Sequence, residues 1–281
     1  MTAKIIDGKL VSAAVREKIK AEVDKLDFKP GLSVIIVGEN PASQVYVRNK
    51  KRAALEVGFD SNVYEMPETT TQEELDAVID KLNADPTVHG ILVQLPLPKH
   101  LDEREVTERI LPEKDVDAFH AVNCGKILQG NASLLPCTPA GVMEMLDYYD
   151  IPIEGKNCVV VGRSNIVGKP MALLLLGRNG TVTVCHSKTK ELSKITKEAD
   201  ILVAAVGKAK LITADMVKEG AVVIDVGMNR NENGKLCGDV DFDAVAQKAA
   251  YITPVPGGVG PMTISILLKN TLTAALNINN H

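Results

Sequence analysis

The chain has 281 residues, 45% hydrophobic and 24% charged, which is enough bulk for one large domain or two ordinary ones and argues against disorder. With 32 Lys plus Arg against 36 Asp plus Glu, the formal net charge of −4 gives no reason to expect a nucleic acid or an anionic membrane as partner. Trp is absent and aromatics are 3%, so little is left for a base-stacking surface.

Helical and strand patterns alternate along the chain, which predicts an α/β fold with mainly parallel strands. Residues 9–26 carry a helical stripe of Leu10, Val11, Ala14, Val15, Ile19, Val23 and Leu26. Residues 32–37 are a β-branched run that reads as a buried strand. A helix is predicted over 41–57, a strand over 61–66, and a helix over 71–83 opened by a Thr71/Glu74 capping box. The buried strand at 89–95 is stopped by Pro96-Leu97-Pro98. A helix at 102–111 precedes a loop-rich stretch, 112–139, containing Pro112, Gly125, Gly130, Pro136 and Pro139. A second block starts near Ala140, with a helix at 141–149, a strand at 158–161 and a helix at 168–178. Strands at 181–185, 201–206, 222–226 and 250–253 follow at the spacing βαβ units require. After the Gly/Pro-rich stretch 254–261, residues 262–277 read as a last helix.

No run approaches the roughly 20 apolar residues of a membrane span, and the N-terminus has no apolar signal core. The cysteines (Cys124, Cys137, Cys158, Cys185, Cys237) form no C-x-x-C pair, which suits reduced thiols in the cytoplasm. The histidines form no ligand pair at helical spacing, so no metal is expected.

Ligands of open parallel sheets bind beyond the carboxyl ends of strands, and two such places carry chemistry. The first is the turn from Gly162 through Arg163, Ser164, Asn165, Ile166 and Val167 to Gly168-Lys169-Pro170. It is a strand, a glycine turn and a helix start whose backbone N–H groups can take phosphate oxygens. The glycine spacing is neither G-x-G-x-x-G nor a P-loop, and a purely structural turn is the alternative. The next strand ends in His186-Ser187-Lys188 with no acid to grip a ribose 2′-hydroxyl; Arg163 with a nearby hydroxyl suits a 2′-phosphate, so NADP is preferred over NAD.

The second place is the helix after Gly38. At about 100° per residue, Ser43, Tyr46 and Lys50 share one face. A Tyr and a Lys four apart at a sheet rim could hold a flat substrate and move a proton; a basic, solvated helix face is the alternative. Gln94 closes an apolar strand before a forced turn, as a ligand contact or a cap. Asp115 and Asp117 are acids in a loop, where one could accept from a heterocycle's N–H groups or both could be solvated. Glycines in 256–261 would allow a ligand close to the backbone.

Taken together these runs resemble the bacterial bifunctional methylenetetrahydrofolate dehydrogenase/methenyltetrahydrofolate cyclohydrolase (FolD) family. The matching segments are 43–51, 90–98, 112–117, 136–139, 160–170 and 252–263, in family order along the chain. The resemblance implies a Rossmann-like NADP-binding domain at 140–260 and an α/β substrate domain at 1–139 with 261–281, a cleft between them, and a homodimer through the nucleotide domain. It implies oxidation of 5,10-methylenetetrahydrofolate by NADP⁺ and hydrolysis of the methenyl product to 10-formyltetrahydrofolate. Lys50 matches the catalytic lysine, with Gln94 positioning it, Tyr46 packing on the folate, Ser43 in support and Asp117 on the pterin. Pro256 and Gly257 fall in the loop that closes on substrate. Gly162, Arg163, Ser164, Ile166, Ser187 and Met228 match cofactor positions. Ala118 and Ala140 stand where Gly and Lys are common. The alternative is a two-domain NADP dehydrogenase of another small substrate, such as a shikimate-type acid.

Overall fold

A computed structural model describes residues 2–279. Contacts divide the chain into two compact units, Met1–Ala13 with Thr138–Thr263 and Ala14–Cys137 with Ile264–His281. The segment ending at Ala13 thus falls with the second block, whereas the sequence placed it with the first. The cause is β1 (Lys4–Ile5), which pairs in parallel with Tyr251 and Ile252. Two residues are too few to show a period.

The unit from Ala14 to Cys137 is built on a small parallel sheet. Helix α1 (Gly8–Val23) leads to β2 (Gly31–Val37), buried along its whole length. Then come α2 (Pro41–Glu56), β3 (Asp60–Met66), α3 (Gln72–Ala84) and β4 (Gly90–Val93). The strand order is β3-β2-β4, with Val34 opposite Val63 on one side and Leu92 on the other. Near-continuous β-branched runs suit strands covered on both faces. Ile35, Val37, Ile91 and Val93 cluster with Leu75 and Ile79 of α3. The capping box is formed: Glu74 N donates to Thr71 Oγ1 at 3.2 Å and Thr71 N to Glu74 Oε2 at 2.9 Å.

Asp102 caps α4 (Glu103–Arg109). The stretch expected to be loop, 112–139, instead contains α5 (Ala121–Gln129) and the start of α6 (Cys137–Tyr148). His120 Nδ1 accepts from Val122 N at 3.0 Å to open α5, and Gly130 closes it at φ 73°. The glycine that reads as a loop marker is the helix stop.

The other unit carries β5 (Asn157–Val161), α7 (Gly168–Gly177), β6 (Thr181–Cys185), α8 (Leu192–Thr196), β7 (Ile201–Ala204) and β8 (Val222–Asp225). A short antiparallel hairpin, β9 (Asn229–Arg230) and β10 (Leu236–Cys237), precedes α9 (Phe242–Val245) and β11 (Tyr251–Ile252). The parallel six-stranded order is β1-β11-β8-β7-β5-β6. Val159, Leu202, Val223 and Ile252 lie in its core. From β5 the chain moves to β6 on one side, then crosses to β7 on the other. That reversal is the switch point beside which ligands bind in such sheets. The last helix, α10 (Val259–Asn279), reaches a mean hydropathy of 1.2 over a membrane-length window, yet 61% of that window is buried, as in a core helix.

Candidate active site

In the unit of the small sheet, the site starts at the carboxyl end of β2. Asn40 Oδ1 accepts from Ala42 N and Ser43 N at 3.0 and 3.1 Å, and Pro41 occupies the first turn, so α2 begins at a defined point. The helix buries Ser43 and Lys50 and half-buries Tyr46, whose phenol burial pushes upward in pKa. The basic face is therefore not a solvated one at residue 50: Lys50 is 7% exposed. Lys50 Nζ donates to Gln94 Oε1 at 2.9 Å. Gln94 is aligned from both ends, because its backbone N donates to Ile35 O at 2.8 Å and its Nε2 to Leu95 O at 2.7 Å. The strand tip thus presents a carbonyl oxygen to the amine.

Asp117 sits in the loop that runs beside β4. Ile91 N donates to Lys114 O at 2.8 Å, and Lys114 Nζ is spent on the carbonyls of Leu82, Asn83 and Asp85. Asp115 Oδ2 takes His120 N and Asn123 Nδ2 at 2.8 and 3.0 Å. Of the two loop acids, Asp115 is thus structural, and burial pushes its carboxyl up to about 6. Burial likewise raises Asp117, opposed by the nearby Lys50 charge and by a hydrogen bond from Cys137. Ala118 adopts φ 57°, in the region that favours glycine, which accounts for the glycine common at that place.

In the nucleotide-type unit, Gly162 follows β5 at φ 135°, and a Cβ there would collide with the Ala205 carbonyl across the switch point. Ser164 Oγ accepts from Val167 N and Gly168 N at 3.1 and 3.3 Å and so shapes the entry to α7; its own hydrogen stays available. Arg163 and Ile166 are exposed. A recess of about 540 Å³ opens here, lined by Gly162, Arg163 and Ser187 together with His186, Thr189 and Lys208. The last three escaped residue-level reading, although each lies just beyond the carboxyl end of a strand, His186 and Thr189 after β6 and Lys208 after β7.

Met228, Pro256 and Gly257 line a second recess of about 380 Å³ in the same unit, together with Asp225 and Gly227. Two buried carboxylates hold these loops. Asp239 accepts from Val206 N, Gly207 N and Lys208 N at 2.6, 3.0 and 2.8 Å. Asp225 accepts from Gly227 N, Asp239 N and Val240 N at 2.9, 2.9 and 3.0 Å, and burial raises its carboxyl to about 6. An acid closing the apolar run of β8 was the available sign.

A parallel sheet with a glycine turn at its switch point, joined in one chain to a lysine-bearing α/β unit, defines a two-unit dinucleotide-type enzyme. The chain belongs to the tetrahydrofolate dehydrogenase/cyclohydrolase family. Residues 6–117 match the model of its catalytic domain and residues 136–279 that of its NAD(P)-binding domain. The chain is 61% identical over 277 residues to the bifunctional protein FolD of Streptococcus pneumoniae serotype 4, covering 97% of each. A FolD methylenetetrahydrofolate dehydrogenase/cyclohydrolase from Campylobacter jejuni superposes with a TM-score of 0.96 at 52% identity, over 98% of this chain and 99% of that one. The Trypanosoma brucei FolD, solved with NADP cofactor and an inhibitor, superposes with a TM-score of 0.95 at 42% identity, over the whole of both chains.

Proposed function

We propose that this chain oxidises 5,10-methylenetetrahydrofolate with NADP⁺ and hydrolyses the resulting 5,10-methenyl cation to 10-formyltetrahydrofolate. The observation that carries the reading is the buried Lys50 amine held on Gln94 Oε1 with Asp117 within electrostatic reach. Family membership at this identity does not favour a shikimate-type substrate.

The cofactor fits on structural grounds: Gly162 leaves space where any side chain would strike Ala205, and Arg163 and Ser187 of the recess supply a cation and a hydroxyl for phosphate, with Ser164 shaping the turn beside it. When bound, NADP⁺ supplies the hydride acceptor. Met228 is assigned to the cofactor and Pro256 and Gly257 to the substrate loop, and all three line the second recess of this unit.

In the folate unit, Tyr46 packs on the substrate and Ser43 supports it from the same helix face. Asp117 accepts from the pterin N–H groups. In its neutral form Lys50 Nζ takes one proton of the water that adds to the methenyl carbon and returns it to the ring nitrogen as the carbon–nitrogen bond breaks, while the remaining hydroxyl proton leaves to solvent as the formyl carbonyl forms. Gln94 Oε1 keeps that amine from rotating away. The five free cysteines fit a reducing cytoplasm. The open edge of β6, with Val184 and Leu176 exposed beside it, fits a homodimer through this unit.

The test is a coupled assay with methylenetetrahydrofolate and NADP⁺, followed by absorbance of the methenyl species. The purified chain is expected to turn over both steps. Lys50→Ala should lower hydrolysis by roughly 10²–10⁴-fold while NADP binding and the melting temperature persist. Normal hydrolysis in that variant overturns the mechanism, and no turnover by the native chain overturns the assignment.

A further inference from the structure

Two residues of the same unit hold the Asp117 loop: Cys137 touches Asp117 itself, and Asn270 binds the carbonyl of the preceding Val116. Cys137, 3% exposed, places Sγ 3.5 Å from Asp117 Oδ1 and 3.5 Å from Val116 O. Asn270, a buried amide of α10, donates Nδ2 to Val116 O at 2.8 Å and to Leu135 O at 2.7 Å. The Val116 carbonyl is therefore already supplied by a stronger donor. The single thiol hydrogen goes to the carboxylate, the better acceptor because it is charged.

We propose that Cys137 is a positioning residue for the folate reactions: its thiol holds one oxygen of Asp117 and so presents the second oxygen to the pterin, while Asn270 locks the loop segment between them. This deepens the proposed folate reading and rests on it. Burial and the neighbouring Asp117 raise the thiol well above its ordinary range, so Cys137 remains a donor and not a thiolate across the working pH. Titratable groups facing the Asp117–Cys137 pair are Lys50 from α2 and Asp115 from the same loop. Lys50 and the thiol both favour the Asp117 carboxylate against the burial that disfavours it.

The test compares Cys137→Ala, Cys137→Ser and Asp117→Asn in the full chain, with NADP affinity as the measure of an intact fold. Cys137→Ala should raise the methylenetetrahydrofolate KM about three- to tenfold with kcat nearly kept, the range expected for one lost hydrogen bond of ordinary strength, because a thiol is a weak donor even to a charged acceptor. Its KM should also rise from a higher pH on acidification, because the carboxylate has lost a donor. Cys137→Ser keeps a donor and should restore both. If Asp117→Asn raises KM but Cys137→Ala matches the native enzyme in KM and pH profile, the positioning role is overturned while the folate reading stands. If Asp117→Asn leaves KM unchanged, the assignment of Asp117 falls, and the role of Cys137 with it. If Ser behaves as Ala, the cause is packing volume and the hydrogen-bond proposal is overturned.

Discussion

Arg163 stands exposed at the carboxyl end of β5, in the recess it shares with Ser187, His186 and Lys208. A guanidinium there can take a 2′-phosphate through two parallel N–H donors, which a 2′-hydroxyl cannot match. Arg163→Ala should therefore weaken NADP by about tenfold more than it weakens NAD, read as two Kd values by titration. Equal weakening would remove the 2′-phosphate contact from the account. Asp115 makes a different prediction. Its carboxyl, ordinarily near 3.8, lies at about 6 in the fold because burial disfavours its charge. A raised carboxyl contributes stability fully below its unfolded value and loses it as pH rises through the folded one. Both of its donors reach Oδ2, so an amide oxygen can accept them. Asp115→Asn should gain on the native chain between about pH 4 and pH 6, by up to roughly 3 kcal/mol. Urea unfolding at the two ends of that window checks it; a constant difference would contradict it.

Helix α5 shows what a short element needs. It has one buried apolar residue, Ile127, and owes its ends to the His120 ring and to Gly130. A Cβ at Gly130 would meet nothing within 4 Å, so only the backbone resists substitution. Gly130→Ala should cost about 1–2 kcal/mol, the penalty of a left-handed L-residue, and Gly130→Asn less; an Ala variant with the native unfolding midpoint would refute this. The same element marks where periodicity stops being readable. Helices α2, α3 and α7 and the strand β2 each repeat a pattern long enough to be seen, and β5 and β8 stand out as unbroken apolar runs rather than by period. Elements of two to five residues, such as β1, α8, α9 and the β9–β10 hairpin, show no period. Proline and glycine further disguised α5.

At the scale of the molecule, the motifs lay on the chain as separate runs, and the alternation of elements was enough to place most of them at strand ends. The helix face of Ser43, Tyr46 and Lys50 follows from spacing within one element. The bond from Lys50 to Gln94 spans 44 residues and depends on the β2–β4 pairing, which no local pattern encodes. Asp239 was silent for the same reason: it acts by collecting the backbone donors of Val206, Gly207 and Lys208, distant in sequence, whereas Asp225 showed itself only by closing the apolar run of β8. Asn270 was silent because one amide within an apolar stripe does not change the stripe.

Neither unit is a continuous stretch of chain. A nascent polypeptide that has left the ribosome as far as Cys137 already carries Lys50, Gln94 and Asp117, yet it lacks the amide of Asn270 that ties down the Val116 and Leu135 carbonyls. Translation must reach Asn270 before the Val116 and Leu135 carbonyls of the lysine-bearing half find their donor, so a chain terminated before the last helix loses more than that helix.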